Sequence, residues 1–299
     1  MKLVTLTKEG RYALGVHTEA GIIDIEQALE LYPPHTRIST NVMEVIEGGA
    51  FAVQALEDYI KTLPKGDNQA FKLEESAIQW GPCVTHPNKI ICVGLNYRKH
   101  AEETNAKIPE YPILFNKFNN TLTGHLHDIA VPKVTNKLDY EAELVIVIGK
   151  EAKYVSKEDA LSYVFGYSNV NDLSARDLQL RTQQWLLGKS CDDFSPLGPY
   201  LVTADEVGNP NDLSVKTTVN GEVRQSSNTS DMIFHCDEIV SYISQHMTLV
   251  PGDIILTGTP EGVVLGLPVE KQVYLKPGDE VTIEIEKLGA LTNRFVEER

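Results

Sequence analysis

The residues from Asp139 to Gly149, DYEAELVIVIG, contain the apolar run that decides the fold class of this chain. Leu144–Ile148 is short and rich in β-branched side chains, which favours a buried strand. Side chains alternate along a strand, so Glu141 and Glu143 point to the same face at the end of this run. Two carboxylates so placed raise each other's pKa unless a cation lies between them. The pair therefore indicates either a solvated strand end or a metal site.

A second acidic position follows the segment GYSNVND, residues 166–172. This segment predicts a strand that delivers Asp172 at its end, with Arg176 and Gln179 just beyond. Three carboxylates without histidine or cysteine favour Mg²⁺ or Mn²⁺ over zinc, and they leave about three octahedral positions open. A 2-oxo acid suits such an ion because its carboxylate and keto oxygens can chelate the ion, which then acts as a Lewis acid on an enolate. The sequence thus favours a hard-metal site for a small 2-oxo acid.

The chain divides into two regions with different patterns of apolar residues. Short apolar runs within residues 1–25 predict a three-stranded meander, and apolar residues at helical spacing around 52–60 predict a helix that ends near Pro64. A polar stretch follows at 65–75, and we place a domain boundary near residue 80. This gives a small N-terminal α/β domain at 1–80 and a second domain at 81–299, which is rich in short strands and has predicted helices at 157–161 and 237–245. The predicted fold class is therefore α+β and β-rich, with strands at 90–93, 144–148, 166–172, 215–219, 254–257 and 281–285.

Composition excludes several classes of function. The 299 residues include 27 Lys and Arg against 42 Asp and Glu, a net charge of −15, which disfavours nucleic acid or an anionic membrane as partner. The apolar runs fall well short of the roughly 20 residues of a membrane span, so none is expected. The four cysteines show no zinc or redox spacing and are expected to be buried thiols. Together with the lack of a signal-peptide pattern, this makes the cytoplasm the expected location.

Six segments, in this order along the chain, resemble the fumarylacetoacetate hydrolase family, and most closely its acylpyruvase and oxaloacetate decarboxylase branch. The resemblance covers Lys89 to the C-terminus, whereas residues 1–80 lie outside it. It implies the family's mixed β-roll fold for the second domain and assembly as a homodimer. The segments are ICVGLNYRKH at 91–100, EAE at 141–143, DLSARDLQ at 172–179, GKS at 188–190, VNGE at 219–222 and IILTGTPEG at 254–262.

The resemblance also implies roles for single positions. Glu141, Glu143 and Asp172 match the family's divalent-metal ligands. His100 and Glu103 match a catalytic pair on a short helix that closes over the substrate. The positions that line the substrate pocket in the family are matched here by Arg176, Gln179, Lys189 and Thr259. The founding hydrolase has a further aspartate ligand before this helix where the present chain has GLNY at 94–97, which argues against fumarylacetoacetate as the substrate.

Elementary chemistry agrees with these roles. His100 and Glu103 meet on one helical face, so the carboxylate can hold the imidazole for use as a general base. Read without the resemblance, the pair belongs to an exposed polar run. Lys189, otherwise a surface lysine, can hold a substrate carboxylate or a developing oxyanion in a site of carboxylates and so take part in catalysis. The loop at 257–262, otherwise a simple turn, offers hydroxyl and N–H groups to a carboxylate.

His125 and His127 are a rival metal signal, because two histidines at strand spacing can share an ion. They lie in a loop with glycine and asparagine, and the sequence shows no third ligand in reach. We therefore expect a solvated loop here.

Three functions remain open at this point. The first is metal-dependent C–C cleavage of a small 2-oxo acid through a pyruvate enolate, either hydrolysis of an acylpyruvate such as fumarylpyruvate or decarboxylation of oxaloacetate. The second is isomerisation or hydration of a 2-oxo-enoate with the same metal. The third is a non-catalytic scaffold that keeps the fold and uses the N-terminal domain as an interaction surface.

Overall fold

The computed structural model describes residues 1–66 and 69–299, and strands dominate this mixed α+β fold, as predicted. The strands are β1 (Lys2–Lys8), β2 (Arg11–Thr18), β3 (Gly21–Asp24), β4 (Lys72–Leu73), β5 (Ile90–Gly94), β6 (Ile113–Lys117), β7 (Leu122–Thr123), β8 (Asp128–Val131), β9 (Leu138–Asp139), β10 (Ala142–Ile148), β11 (Val164–Asn171), β12 (Ser174–Ala175), β13 (Ser195–Thr203), β14 (Ser214–Val219), β15 (Glu222–Asn228), β16 (Ile254–Leu256), β17 (Glu280–Ile285) and β18 (Gly289–Glu297). The helices are α1 (Ile25–Leu31), α2 (Val42–Thr62), α3 (Arg98–Glu103), α4 (Arg176–Gln179), α5 (Leu186–Lys189), α6 (Ala204–Val207) and α7 (Cys236–His246). The six strands predicted after residue 89 match observed strands to within two residues at each end.

Most of these strands join one large mixed sheet. Its order is β4-β3-β2-β1-β13-β11-β10-β16-β5-β6, and β7 pairs with β13. The predicted N-terminal meander is β1 to β3, and β1 continues the sheet by antiparallel pairing of Leu3 with Leu201 on β13. A second sheet has the order β15-β14-β17-β18-β8, and β9 pairs with β12. The domain boundary near residue 80 stays a prediction.

Strand β10 lies inside the large sheet between β11 and β16 and is buried on both faces. Leu144 and Ile146 pack into the core that the large sheet shares with the second sheet and α7. Val145 and Val147 pack on the opposite face, in the core that includes residues of α2. Burial on both faces explains why this strand is a continuous apolar run and does not alternate.

The predicted helix around 52–60 forms the second half of α2. The helix begins after Asn41, whose side chain accepts a hydrogen bond from the Glu44 N–H, and it is interrupted at Gly49, where φ is 55°. It ends with Leu63 in an extended conformation, because the residue before a proline is disfavoured in the helical region.

The predicted helix at 157–161 is wrong, whereas the one at 237–245 is confirmed as the body of α7. A single 3₁₀ turn forms instead at Ala160–Tyr163. The Asp159 N–H donates to Ser156 Oγ at 3.2 Å, and this hydroxyl donates to the Asp159 carboxylate at 3.0 Å. Such side-chain hydrogen bonds stabilise a turn at the expense of a helix. The predicted polar stretch at 65–75 contains Asp67 and Asn68, which lie outside the described residues.

Candidate metal and substrate site

Three carboxylates from two neighbouring strands converge at one end of the large sheet. Strand β11 ends where its antiparallel neighbour β10 begins, with Ala142 paired to Asn171. Asp172 therefore lies beside Glu141, and its N–H donates to the Glu141 carbonyl at 2.9 Å. Glu143 follows on the same face of β10, and carboxylate oxygens of these three residues lie within 4.8 Å of one another. All three side chains are buried, so the alternative of a solvated strand end is wrong.

The pKa of Glu143 behaves as the sequence predicts for crowded carboxylates. Burial, with Asp172 and Glu141 as neighbours, raises it well above the usual value. The Gly258 N–H donates to Glu143 Oε2 at 2.8 Å. No lysine or arginine within residues 1–66 and 69–299 forms an ion pair with this carboxylate. Glu143 is thus the member of the cluster with the greatest need for a cation.

Glu141 follows the other branch of that expectation, because cations lie beside its carboxylate. Burial raises its pKa, but Lys189 and Arg176 outweigh burial and lower the pKa to about 2. Lys189 Nζ lies 2.6 Å from Glu141 and 2.8 Å from Asp172, and Arg176 Nη2 lies 2.8 Å from Glu141. The pKa of Lys189 is raised, because these carboxylates outweigh the effect of its burial. The resemblance placed Arg176 and Lys189 at the substrate pocket, but it did not predict that they form ion pairs with the metal-site carboxylates.

The donor set fits a hard divalent ion. Such an ion lies roughly 2.0–2.6 Å from each oxygen ligand and can join oxygens with the spacing seen here. With every group in its ionised form, the buried cluster holds four carboxylates against three cations, so a bound divalent ion would change its formal net charge from −1 to +1 and favour an anionic ligand. The carboxylates are Asp139, Glu141, Glu143 and Asp172, and the cations are Lys117, Arg176 and Lys189.

Lys117 is a buried member of this cluster that the sequence did not point to. It ends β6, and its Nζ donates to Asp172 at 2.5 Å and to the Phe194 carbonyl at 2.6 Å. The sequence offers one indication of its position. Side chains two residues apart on a strand share a face, and Lys117 is two residues after Phe115, which lines the cavity. Lys117 and Lys189 contact different oxygens of the Asp172 carboxylate, so each oxygen has its own lysine.

Lys117→Met is expected to lower the free energy of unfolding by about 2–4 kcal/mol, because it leaves a buried carboxylate short of a partner. Urea denaturation measures this change. Lys216→Met, which removes an exposed lysine 3.9 Å from Glu284, is the control and is expected to cost under about 1 kcal/mol. Equal losses in both variants would contradict the assigned contact.

His100 and Glu103 form the hydrogen-bonded pair that the spacing predicts. They lie on α3, with His100 Nδ1 2.7 Å from Glu103 Oε1. His100 is buried, so its assignment to an exposed polar run is wrong. The other ring nitrogen, Nε2, makes no hydrogen bond within the described part of the chain, and the ring lines a cavity. Leu95, just before this helix, has φ of 52° and also lines the cavity, and strained backbone of this kind clusters at functional sites.

Two glycines of a distant loop fix the Glu103 carboxylate. The Gly262 N–H donates to Glu103 Oε2 at 2.9 Å. A Cβ on Gly266 would lie 2.6–2.7 Å from both carboxylate oxygens, so only glycine leaves room for them. The position of Glu103, and through it the orientation of His100, therefore depends on the backbone at 262–266.

Gly266→Ala is expected to lower turnover about ten- to a hundredfold, because the added methyl group displaces the Glu103 carboxylate from His100. The chain should still fold, since the displaced group is the end of a flexible side chain. Steady-state kinetics with circular dichroism measures both effects. Gly278→Ala is the control. A Cβ at Gly278 would meet no neighbouring atom, but φ is 96° there, so the substitution is expected to lower stability without affecting turnover. Turnover unchanged by Gly266→Ala would contradict the role of this contact.

One cavity of about 180 Å³ collects most of the predicted site residues. This volume is below the roughly 300–1,000 Å³ of sites for drug-sized ligands and fits a small acid. Glu103 and Asp172 do not line the cavity but contact residues that do. Apolar side chains, among them Trp185, Leu180 and Leu265, form other parts of its wall. The predicted residues on the wall are His100, Glu141, Glu143, Arg176, Gln179, Lys189 and Thr259.

The guanidinium group of Arg176 is held by other side chains of the protein. Its Nε donates to Asp139 at 2.8 Å and its Nη1 to Gln179 Oε1 at 2.9 Å. Asp139 also accepts the N–H groups of Val264 and Leu265. Arg176 thus links the cavity wall to the loop behind Glu103, and its assignment to substrate binding stays a prediction.

One of the two rival histidines, His125, is less exposed than expected. His125 is partly buried against Trp80, its Nδ1 accepts the Thr292 N–H at 2.9 Å, and burial lowers its pKa to about 4. The expected solvated loop is therefore wrong at His125, although His127 is exposed. Within residues 1–66 and 69–299, the acidic trio is the one group with metal-ligand spacing. Three of the four free cysteines are buried, and Cys191 is partly exposed.

Asn96 lies in the segment where the founding hydrolase has its further aspartate. Its carboxamide is used by backbone groups, accepting from Phe234 N and donating to the carbonyls of Phe234 and Thr257. It fixes the end of β5 next to the cavity.

Comparison with known proteins identifies the family. Residues 89–296 match the family model described as fumarylacetoacetate (FAA) hydrolase C-terminal. This chain belongs to the fumarylacetoacetate hydrolase family. It is thus an enzyme of this superfamily with an acidic metal site, and both the resemblance and the β-rich fold predicted from it are confirmed.

Named relatives span most of the chain. The oxaloacetate tautomerase FAHD2A, mitochondrial, of Bos taurus is 42% identical over 284 residues, which cover 90% of each protein. The structure of fumarylacetoacetate hydrolase from the psychrophile Exiguobacterium antarcticum is 34% identical, with a TM-score of 0.80 and full coverage of both chains. Maleylpyruvate hydrolase from Sphingobium sp. SYK-6, in complex with manganese(II) ion and pyruvate, is 30% identical, with the same TM-score and coverage.

Other expectations for the whole protein have different outcomes. None of the helices in residues 1–66 and 69–299 combines the length and apolar character needed to cross a bilayer. The bovine relative is named as mitochondrial, and the cytoplasmic location expected here stays a prediction. The homodimer also stays a prediction.

Proposed function

We propose that this chain is a divalent-metal-dependent enzyme that interconverts the keto and enol forms of oxaloacetate or a similar small 2-oxo dicarboxylate. This reaction is an isomerisation, as in the second function left open by the sequence, but its substrate is a 2-oxo dicarboxylate and not the 2-oxo-enoate considered there. The observation that carries the proposal is one small cavity lined by Glu141, Glu143 and His100, with Asp172 within 4.8 Å of both glutamates to complete the acidic trio. The name of the bovine relative, an oxaloacetate tautomerase, supports the choice of reaction.

His100 supplies the proton transfer in this proposal. Glu103 holds Nδ1, which leaves Nε2 free to take a proton from C3 of the substrate. Return of that proton to the 2-oxo oxygen gives the enol, so one C–H bond breaks, one O–H bond forms and no electrons are gained or lost. A Mg²⁺ or Mn²⁺ ion at Glu141, Glu143 and Asp172 would supply Lewis-acid stabilisation of negative charge on the substrate.

Cavity side chains orient the acid. Lys189 uses two of its three N–H groups on Glu141 and Asp172, which leaves one for a substrate oxygen. Thr259 and Gln179 add polar groups to the same wall. We propose that Lys189 stabilises developing negative charge and that Thr259, Gln179 and Arg176 form the polar wall around the substrate.

C–C cleavage is the second candidate. In hydrolysis of an acylpyruvate, His100 would take a proton from water and the hydroxide would add to the C4 carbonyl. The C3–C4 bond would then break to give a carboxylic acid and pyruvate enolate, and return of the proton from His100 would give pyruvate enol. In decarboxylation of oxaloacetate, the C3–C4 bond would break to release CO₂ and pyruvate enolate, and no attacking water would be needed. The likeness to a maleylpyruvate hydrolase structure that holds manganese and pyruvate favours this candidate over the scaffold hypothesis.

A product assay separates the reactions. Oxaloacetate is incubated with protein and Mg²⁺, which is diamagnetic, the keto and enol forms are followed by ¹H NMR, and pyruvate is measured with lactate dehydrogenase. Faster tautomer exchange without pyruvate is the expected result, and chelation with EDTA should remove it. Pyruvate formed faster than in the protein-free control would move the assignment to decarboxylation. Pyruvate from acylpyruvates but not from oxaloacetate would move it to hydrolysis.

A further inference from the structure

Gln225 on β15 has none of the roles assigned above, yet it lies between the metal strand and the loop that carries Thr259. Its side chain is 1% exposed. Its Oε1 accepts from the Ala142 N–H at 3.1 Å and from the Thr217 hydroxyl at 2.8 Å. Its Nε2 donates to Thr259 Oγ1 and to the Pro260 carbonyl, both at 2.9 Å. All four hydrogen-bonding positions of the carboxamide are therefore used.

The backbone fixes the orientation of this carboxamide. If its oxygen and nitrogen exchanged places, the amine would face the Ala142 N–H and the oxygen would face the Pro260 carbonyl. Each of these contacts would leave buried groups without a partner, which is costly. Nε2 therefore faces Thr259.

A strand irregularity places Gln225 at this point. The register between β14 and β15 shifts so that Gln225 pairs with Thr217 while Val223 pairs with Thr218, which leaves Arg224 as the extra residue of a bulge. Bulges of this kind redirect side chains and are frequent beside active sites. The second sheet thereby reaches Ala142, which separates two of the proposed metal ligands on the large sheet.

This arrangement fixes the hydrogen-bonding role of the Thr259 hydroxyl, which is left to act as a donor toward the cavity. Its oxygen accepts from Gln225, and within the described residues its proton has no acceptor. Thr259 also lines the cavity. We infer that Gln225 is a positioning residue that presents the Thr259 hydroxyl as a donor to an acceptor-only oxygen of the bound acid, a carboxylate or 2-oxo oxygen. The inference rests on the proposed function for the identity of that acid.

A double-mutant cycle tests this inference by binding rather than turnover. The probe is oxalate, a chelating dicarboxylate, titrated by calorimetry into protein saturated with Mn²⁺. Gln225→Glu keeps an acceptor for the Ala142 N–H but removes both amide donors, so the Thr259 proton turns to the introduced carboxylate. We expect Gln225→Glu and Thr259→Val each to weaken oxalate binding about tenfold, and the double variant to be no weaker than Thr259→Val alone.

Further variants separate positioning from a general structural effect. Mn²⁺ affinity should stay within about threefold in Gln225→Glu, and Thr259→Ser should retain oxalate binding because it keeps the hydroxyl. Gln245→Glu is the matched control. Gln245 lies on α7, away from the cavity, and its side chain also donates to a backbone carbonyl, that of Val155. Should Gln225→Glu fail to fold, Gln225→Met takes its place in the same cycle.

The outcomes are distinct. Equal weakening by Gln225→Glu with and without Thr259→Val would overturn the inference, because Gln225 would then act independently of Thr259. Wild-type protein that binds oxalate but leaves oxaloacetate unchanged would overturn the proposed reaction and leave the cycle informative. Wild-type protein that shows no Mn²⁺-dependent oxalate binding would overturn both.

Discussion

Glu143→Gln is expected to have two effects. The metal-free protein becomes more stable, and turnover in the presence of the metal falls about a thousandfold. The stability gain follows from the pKa of Glu143, which burial and the neighbouring Asp172 and Glu141 raise well above 4.5. A carboxyl group with a raised pKa binds its proton more tightly in the folded state. Folding therefore loses stability as the pH rises from about 4.5 through the folded-state pKa. Glutamine removes this loss and keeps an oxygen for the Gly258 N–H.

The loss of turnover has a separate cause. Glutamine offers a neutral ligand in place of an anionic one, and a metal ion contributes several kcal/mol to stabilising the transition state, which corresponds to about a thousandfold in rate. The two effects of one substitution thus have opposite signs. A merely structural carboxylate would not produce both.

Thermal unfolding between pH 5 and 8, with EDTA or with Mn²⁺, measures the stability effect. We expect a gain on the order of 1 kcal/mol at neutral pH without metal, and a smaller stabilisation by Mn²⁺ than in the wild type. Glu158→Gln, which alters an exposed carboxylate away from the cavity, is the control. A metal-free Glu143→Gln protein that is less stable than wild type would contradict the electrostatic account, and retained Mn²⁺-dependent turnover would exclude the metal site.

His100→Gln is expected to lower turnover by about 10²–10⁴-fold, because it removes the group that exchanges a proton with the substrate. Glu103→Gln should cost less, about ten- to a hundredfold, because it only loosens the orientation of the ring. Binding of oxalate in the presence of Mn²⁺ should change by less than about threefold in both variants, since neither residue belongs to the acidic trio. Tautomer exchange by NMR and oxalate titration measure the two properties.

His246→Gln is the matched control for this experiment. His246 ends α7 in an exposed position, where its ring contacts the Tyr242 carbonyl. We expect wild-type turnover from it. If His100→Gln retained turnover within threefold of wild type, another group would have to be the base. If it lost oxalate binding as well, His100 would contribute to binding rather than to proton transfer alone.

Local patterns in the sequence predicted the parts of this protein that depend on near neighbours. Alternation along the segment that leads into β10 predicted Glu141 and Glu143 on one face, and the helical spacing of His100 and Glu103 predicted their contact. The order of short motifs indicated the family, which the family model confirms. The failure at 157–161 is also local, because a side-chain hydrogen bond between Ser156 and Asp159 replaces the helix.

Contacts between distant segments decided the rest. The pKa of Glu141 falls because α4 and α5 bring Arg176 and Lys189 to it, opposite to the rise that its neighbour on the strand predicts. Lys117 reaches Asp172 across 55 positions of the chain, and Gln225 reaches Ala142 across 83. Side-chain periodicity determines only which face of an element a residue occupies. Which charges meet there, and hence how the site titrates, follows from the pairing of strands and the packing of helices in three dimensions.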